Sequence, residues 1–229
     1  MQKASILFAE DDKSLAFMVK DALEDEGYKV VHCADGQTAI DSFDKNKFDI
    51  CLLDIMMPNK DGYTVAKKIR QQTDRLPIIF LSTKNQESDK LKGYDTGADD
   101  YLSKPFSMPE LLKKIEVFIR RSKKPASGNI GEIQLGNITF APDGLKITTS
   151  EETFNITQKE NDLLKFLCEH RNKVVKRNEV LTHVWGKDDF FLGRSMDVFI
   201  SKLRKYLKSD DRIMLETIHG IGFRLTVPN

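Results

Sequence analysis

The fold is decided by one stretch of the chain, residues 48–58, which read FDICLLDIMMP. The four apolar residues 50–53 suit a strand that is buried on both faces, as in a parallel sheet covered by helices. Asp54 follows directly, so its carboxylate is expected at the carboxyl edge of the sheet, where open α/β folds bind ligands. An aspartate after a buried strand also serves as an ordinary cap or turn residue, and the rest of the chain has to decide between these roles.

Strands and helices alternate throughout the first half of the chain. The segment 5–9 predicts a short apolar strand, and an amphipathic helix with Leu15, Val19 and Leu23 on one face follows it. The alternation continues with predicted strands at 28–33, 50–53, 77–81 and 99–102, and predicted helices at 36–45, 61–72, 86–96 and 109–121. Five such repeats predict an α/β fold, a doubly wound five-stranded parallel sheet with right-handed crossovers and helices on both faces.

Polar side chains follow four of the five predicted strands. Because parallel strands point the same way, the residues just beyond their carboxyl ends meet at one edge of the sheet. This edge gathers Glu10, Asp11, Asp54, Ser82 and Lys104. Three carboxylates in one crevice repel each other, which favours a hard divalent cation with oxygen ligands, Mg²⁺.

Such a cation, a lysine ammonium and a hydroxyl donor together form a site for a tetrahedral dianion. Asp54 is the carboxylate placed to attack phosphorus and to form an aspartyl phosphate. The alternative interpretation of the same residues is a solvated cluster of loop charges.

Length and composition set bounds on the protein class. The 229 residues fit two domains, and the formal net charge is +1. The first 121 residues carry 19 basic and 21 acidic side chains, and the remainder carries 17 and 14, an asymmetry too weak to establish nucleic-acid binding by itself. Three scattered cysteines, Cys33, Cys51 and Cys168, indicate buried thiols in a reducing compartment. No signal peptide or membrane-spanning apolar run is recognised, so we expect a soluble, cytoplasmic protein.

The second half of the chain has a different pattern. The segment 133–156 is typical of a small antiparallel meander, and Thr157 with Glu160 has the spacing of a capping box at the start of a helix. A second helix is predicted at 178–185, ending at Gly186, with a loop over 187–193.

A third predicted helix, 194–208, has one apolar stripe and one largely basic face. The basic face is predicted to present Arg194, Val198, Ser201, Lys202 and Lys205, with Arg204 toward its flank. A hairpin with its tip at 219–222 follows. Two helices, a basic helix and a hairpin predict an α+β winged helix-turn-helix, with the third helix sized for the DNA major groove and the wing for a minor groove.

The first half resembles the receiver domain of two-component response regulators. Four motifs carry the resemblance: FAEDD at 8–12, LDIMMP at 53–58, FLSTK at 80–84 and ADDYLSKPF at 98–106. The resemblance implies that Glu10, Asp11, Asp54 and the Met56 carbonyl hold Mg²⁺. It also implies that Asp54 accepts the phosphoryl group from the phosphohistidine of a sensor histidine kinase.

The same resemblance assigns roles around the phosphoryl group. Lys104 pairs with a phosphoryl oxygen and has a cis peptide bond to Pro105, Ser82 moves to hydrogen-bond the phosphoryl, and Tyr101 turns inward. Thr83 departs from the family, which usually carries a very small residue there, and its β-branched side chain predicts slow or weak phosphorylation.

Haloacid-dehalogenase-like phosphatases also form an aspartyl phosphate, but they require a second acid two residues after the nucleophile. Met56 occupies that position, so we set phosphatase activity aside. We predict a regulator, not an enzyme, whose receiver accepts and slowly hydrolyses its own phosphoryl group.

Residues 194–204, RSMDVFISKLR, and 217–224, TIHGIGFR, resemble the OmpR/PhoB effector domain. Position by position, this resemblance implies base or phosphate contacts by Lys202 and Arg204, a thymine-methyl contact by Val198, and backbone contacts by Arg194 and Thr217. Ser201 stands where relatives often have a basic residue, so one electrostatic contact is missing. His219 replaces the usual wing-tip arginine, which predicts weaker minor-groove attraction at neutral pH.

These assignments divide the chain into a receiver domain at 1–122, a linker at 123–131 and a winged-helix effector domain at 132–229. The resemblance places a phosphorylation-induced homodimer on the fourth helix, fifth strand and fifth helix of the receiver. The charge-matched candidates there are Lys90 with Glu110 and Asp100 with Lys114, and for each pair the alternative is an ion pair within one chain.

The function predicted from the sequence is a phosphorylation-controlled transcription regulator. Its predicted partners are a sensor histidine kinase, promoter DNA with direct repeats, RNA polymerase and a second copy of the chain, with no membrane. Two alternatives stay open: an orphan regulator that binds DNA without phosphorylation, suggested by Thr83, and a receiver whose winged domain binds protein or RNA, suggested by Ser201 and His219.

Overall fold

Five parallel strands form the central sheet of the N-terminal part, in a computed structural model that describes residues 3–83, 93, 96–122, 131–185 and 190–228. The spatial order of the strands is β2-β1-β3-β4-β5. Their bounds are β1 Ser5–Ala9, β2 Lys29–Cys33, β3 Ile50–Asp54, β4 Ile78–Ser82 and β5 Asp100–Ser103. The chain separates into two compact units, Met1–Lys124 and Pro125–Asn229. The doubly wound parallel sheet predicted from the sequence is confirmed.

Helices connect the strands of this sheet. Their bounds are α1 Lys13–Asp25, α2 Gly36–Ser42, α3 Gly62–Arg70 and α4 Met108–Ser122. The first three begin after aspartate caps, Asp12, Asp35 and Asp61, whose side chains accept hydrogen bonds from backbone N–H groups of the first turn. The helix α2 ends three residues earlier than predicted, because Phe43 adopts an extended conformation and stacks on Phe48. The predicted helix 86–96 lies almost wholly outside the described residues.

The central strands are buried along their whole length. All five residues of β3 and all five of β4 are buried, because helices cover both faces of a parallel sheet. In these two strands the polar residues Asp54 and Ser82 stand at the carboxyl ends. The parallel direction of the strands fixes Asp54 and Ser82 at one edge of the sheet.

The described residues of the C-terminal unit, 131–185 and 190–228, form two antiparallel sheets and three helices. The four-stranded sheet consists of β6 Ile133–Leu135, β7 Ile138–Ala141, β8 Lys146–Thr148 and β9 Thr153–Asn155. The helices are α5 Gln158–Glu169, α6 Arg177–Trp185 and α7 Phe190–Leu207. The three-stranded sheet has the order β10 Val174–Lys176, β12 Gly222–Thr226 and β11 Met214–Ile218. The predicted capping box is present at the start of α5, where Thr157 and Glu160 exchange hydrogen bonds.

Two local predictions in this unit are wrong or incomplete. The predicted loop 187–193 is helical from Phe190 onward, since a long helix tolerates an internal residue such as Gly193 at a cost of about 1 kcal/mol. The strand β10 was not predicted, because three residues give too short a pattern; Val175 pairs with Phe223 of β12. Among the described residues, no helix is long and apolar enough to cross a membrane.

A buried ion pair joins α3 to the start of β5. The Arg70 guanidinium lies 2.7 Å from the Asp99 carboxylate, and their side chains are 10% and 4% exposed. The same guanidinium donates hydrogen bonds to the carbonyl oxygens of Gly97 and Leu76. Asp99 also accepts a hydrogen bond from the N–H of Ile78, the first residue of β4. The pair therefore joins the end of α3 to the amino ends of β4 and β5.

We expect Arg70→Met to lower the free energy of unfolding of the N-terminal unit by about 3–5 kcal/mol, because it leaves Asp99 buried without its charge partner. Urea unfolding followed by circular dichroism measures this change, with the fluorescence of Trp185 reporting the C-terminal unit separately. The control is Lys20→Met, which removes the exposed pair with Glu24 and should cost less than about 1 kcal/mol. Equal small losses in both variants would contradict the prediction.

Candidate functional site

Three carboxylates converge at the carboxyl edge of the parallel sheet. Glu10 and Asp11 follow β1, and Asp54 ends β3. Each offers one oxygen to a group whose ligand atoms all lie within 4.8 Å of one another. Glu10 and Asp54 are buried, with 1% and 6% exposure, whereas Asp11 is exposed. Oxygen ligands at this spacing fit a hard divalent cation.

Lys104 bridges two of these carboxylates. Its Nζ lies 2.6 Å from Glu10 Oε2 and 2.6 Å from Asp54 Oδ2, and its side chain is only 11% exposed. The backbone N–H of Lys104 donates to the carbonyl oxygen of Ser82, which fixes the lysine against the end of β4. The peptide bond between Lys104 and Pro105 is cis, as predicted.

Burial and charge oppose each other in this cluster. Burial raises the pKa of Glu10 to about 7, an effect that Lys104 opposes and the neighbouring Asp54 reinforces. Burial alone would lower the pKa of Lys104, but hydrogen bonds to Asp54 and Glu10 outweigh it, so this pKa lies above its ordinary value. Lys104 is therefore a cation at neutral pH.

The residues around Asp54 control its orientation. The backbone N–H of Met56 donates to Asp54 Oδ1 at 3.0 Å. Ser82 is fully buried at the end of β4, and Thr83 next to it is exposed. Tyr101 is 8% exposed and packs edge-on against Phe80, at 6.4 Å between ring centroids. The structure thus places Asp54, Ser82 and Lys104 at this edge, while Tyr101 pairs with Phe80 two residues before the end of β5.

The predicted DNA-binding face of α7 differs from the expectation at two positions. Val198 is only 8% exposed, and Lys202 Nζ lies 3.2 Å from the buried carboxylate of Glu160. Both were predicted on the exposed face because helical periodicity showed one apolar stripe. In the structure Glu160 of α5 lies beside Lys202 and Val198 is buried, so neither side chain faces solvent freely.

The other predicted DNA contacts occupy the surface. Ser201, Arg204, Thr217 and His219 are exposed. Arg204 donates to the carbonyl oxygen of Leu215 and to the hydroxyl of Thr217, which ties α7 to the wing strand β11. The side chain of Arg194 lies outside the described residues.

Both units match known families. Residues 6–116 match the response regulator receiver domain, and residues 151–225 match the C-terminal domain of transcriptional regulatory proteins. The transcriptional regulatory protein RprY of Bacteroides fragilis is 40% identical over 227 residues, which cover 99% of this chain and 96% of RprY. The alkaline phosphatase synthesis transcriptional regulatory protein PhoP of Bacillus subtilis is 34% identical over 97% of both chains.

A solved structure agrees with these relatives. The response regulator DrrB of Thermotoga maritima, an OmpR/PhoB homologue, aligns with a TM-score of 0.51 and 28% identity over 97% of this chain and 98% of its own. The chain belongs to the OmpR/PhoB family of response regulators. It is a DNA-binding transcriptional regulator of the two-component type, as the sequence predicted.

The predicted dimer face of this response regulator needs one correction. Asp100 and Lys114 were candidates for an ion pair between subunits, but Lys114 Nζ lies 2.7 Å from Asp100 Oδ2 within the same chain. The reason is geometric, because β5 and α4 bring both side chains to one partly buried place, where they are 5% and 20% exposed. Glu110 is exposed, and Lys90 lies outside the described residues.

The ion pair between Arg177 and Asp197 of the effector unit was not predicted from the sequence. Arg177 binds Asp197 through two parallel hydrogen bonds of 2.9 Å, and its backbone N–H donates to the carbonyl oxygen of Ile221 at the wing tip. It therefore links α6, α7 and the wing of the response regulator. The acidic Asp197 within a basic helix face was a signal in the sequence, but its partner Arg177 is 20 residues away along the chain.

Because Lys202 neutralises the buried Glu160, we expect Lys202→Met to destabilise the effector unit by about 3 kcal/mol. Urea unfolding followed by the fluorescence of Trp185 measures this loss. The exposed Lys205 provides the matched control, and Lys205→Met should change stability by less than about 0.5 kcal/mol. An unchanged stability together with a salt slope of DNA binding reduced by about 1 would instead show that Lys202 contacts phosphate.

Proposed function

We propose that Asp54 of this response regulator accepts a phosphoryl group from a sensor histidine kinase, and that the phosphorylated chain dimerises and binds promoter direct repeats. The observation that supports the proposal most strongly is the bridge from Lys104 to Glu10 and Asp54. It puts a nucleophilic carboxylate, a cation and a further acid at one partly buried sheet edge. This combination is suited to binding a phosphoryl dianion.

The acidic cluster fits Mg²⁺ by the chemistry of its donors. We propose that Glu10, Asp11, Asp54 and the carbonyl of Met56 hold the ion. When bound, it offsets negative charge at the site and orients phosphoryl oxygens.

In the proposed transfer, an Asp54 carboxylate oxygen forms a bond to phosphorus while the bond from phosphorus to the histidine nitrogen breaks. The electron pair of that bond stays with the histidine. Lys104 then pairs with a phosphoryl oxygen, the Ser82 hydroxyl moves to donate a hydrogen bond to another, and Tyr101 turns inward into the space that Ser82 vacates. Water later hydrolyses the aspartyl phosphate slowly.

The output of phosphorylation is proposed to be dimerisation of the receiver at 1–122, with the linker 123–131 connecting it to the effector domain at 132–229. Two linked effector domains gain avidity on adjacent half-sites without new contacts. The proposed DNA contacts of α7 and the wing are the exposed residues Ser201, Arg204, Thr217 and His219, together with Arg194, whose side chain is outside the described part of the chain. RNA polymerase is the proposed partner at the promoter.

The deciding experiment is selection from random duplex DNA by the full-length protein, with and without Mg²⁺ and beryllofluoride, beside Asp54→Asn. We expect a direct repeat to be enriched and beryllofluoride to strengthen its binding about tenfold or more in the wild type only, because avidity requires the dimer. Asp54→Asn removes the attacking and ion-binding carboxylate but keeps the side-chain volume.

The other outcomes support the alternatives. Enrichment of a DNA sequence to the same extent with and without beryllofluoride would indicate an orphan regulator. No enrichment by folded protein would indicate a winged domain that binds protein or RNA.

Thr83 provides a separate test of access to Asp54. Its exposed β-branched side chain follows Ser82 directly, so we expect Thr83→Ala to speed phosphorylation by a small phosphodonor about threefold to tenfold. Phosphorylated protein is quantified over time on a phosphate-affinity gel. The control is Thr73→Ala, at a residue that lies between α3 and the amino end of β4, whereas Thr83 follows the carboxyl end of β4. Thr73→Ala should leave the rate unchanged, and equal rates in all three proteins would show that Thr83 does not limit access.

A further inference from the structure

The first turn of α2 approaches the segment that follows Asp54 with no room for a side chain. A Cβ added to Gly36 would collide with the carbonyl oxygen of Lys60 and lie only 2.7 Å from its carbonyl carbon. These are backbone atoms, so rotation of a side chain cannot relieve the collision. The backbone of Gly36 itself does not have a positive φ, so the approach, and not the conformation, requires glycine.

A second contact reinforces this approach. Asp35 caps α2 by accepting hydrogen bonds from the N–H groups of Gln37 and Thr38. Its carboxylate also accepts a hydrogen bond from the side chain of Asn59, a residue with a φ of 65°. The cap Asp35 and the first residue of α2, Gly36, therefore contact the consecutive residues Asn59 and Lys60.

The gripped segment is the one that orients Asp54. Its residue Met56 donates its N–H to Asp54 Oδ1 at 3.0 Å. Just beyond the segment, the first residue of α3 packs against the Asp54 backbone, since a Cβ on Gly62 would lie 3.0 Å from the carbonyl carbon of Asp54 and closer still to its oxygen. Because packed backbones transmit small displacements, a shift at Lys60 reaches the Met56 N–H and the Asp54 carboxylate.

We propose that Gly36, with Asp35, is a positioning residue for Asp54: the start of α2 fixes the segment 55–60 and thereby the orientation of the Asp54 carboxylate. The functional consequence rests on the proposed phosphoryl and Mg²⁺ site. The positioning itself is a property of the protein without any ion.

Gly36→Ala in the full-length protein tests the proposal, because alanine is the better helix former and should favour α2 itself. Two measurements are needed. The first is amide hydrogen exchange of the ion-free protein, in which we expect the Met56 and Lys60 amides to exchange about tenfold faster while β1 amides are unchanged. The second is beryllofluoride affinity in Mg²⁺, which should weaken about tenfold because the Asp54 carboxylate is misplaced.

The matched control is Gly144→Ala, the same substitution at a glycine whose added Cβ would meet its nearest atom at an ordinary 3.7 Å. The amide exchange rates and the beryllofluoride affinity of Gly144→Ala should equal those of the wild type. If Gly36→Ala does not fold, Asp35→Ser replaces it, since serine keeps the helix cap but is too short to keep the contact with Asn59. Asp35→Ser should speed exchange at Lys60 and weaken beryllofluoride binding in the same direction.

Unchanged exchange at Met56 and Lys60 in the folded variant would overturn the proposal. Faster exchange with full beryllofluoride affinity would also overturn it, because Gly36 would then shape the segment without positioning Asp54. A wild type that binds no beryllofluoride contradicts the proposed function, while the exchange comparison still decides whether α2 holds the segment.

Discussion

The structure of the receiver unit depends on one constraint, the burial of parallel strands on both faces. Such strands expose polar groups only at their ends, and parallel strands end at the same edge. Three carboxylates are thereby forced together, and Lys104 lies between two of them at 2.6 Å from each. The ammonium offsets part of a repulsion that the sheet itself creates. Its position depends in turn on its backbone hydrogen bond to Ser82 at the end of β4.

Much of the fold was predictable because its signal is local. Apolar runs of strand length, aspartate caps and the capping box of Thr157 and Glu160 each depend on neighbours within a few residues. Element boundaries were less predictable, since packing decides them. The helix α2 ends at Ser42, and the next residue, Phe43, stacks on Phe48. The helix α7 begins at Phe190 and includes Gly193. The short strand β10 exists only because β12 pairs with it.

In the candidate sites, too, some features could be predicted from the sequence and others depend on packing between elements. The convergence of Glu10, Asp11 and Asp54 follows from topology, which the order of the elements determines. The environments of Lys202 and Lys114 cannot be derived in this way, because their partners Glu160 and Asp100 lie on other elements. Periodicity tells which side of a helix is apolar, but it does not tell which polar side chain a neighbouring helix neutralises. The resemblance to known families implied roles for these residues, and only the structure separated exposed cations from paired ones.

The charge of the Asp54 site explains why a divalent cation belongs to the proposed reaction. Three carboxylates and one ammonium give the site a formal charge of about −2 when all are ionised, and a phosphoryl dianion approaching it is repelled. Burial, opposed by Lys104 and reinforced by the neighbouring Asp54, raises the pKa of Glu10 to about 7. Lys104 alone cannot balance both carboxylates and the incoming phosphoryl group. A divalent charge held by Glu10, Asp11 and Asp54 would offset the carboxylates and allow Lys104 to pair with a phosphoryl oxygen.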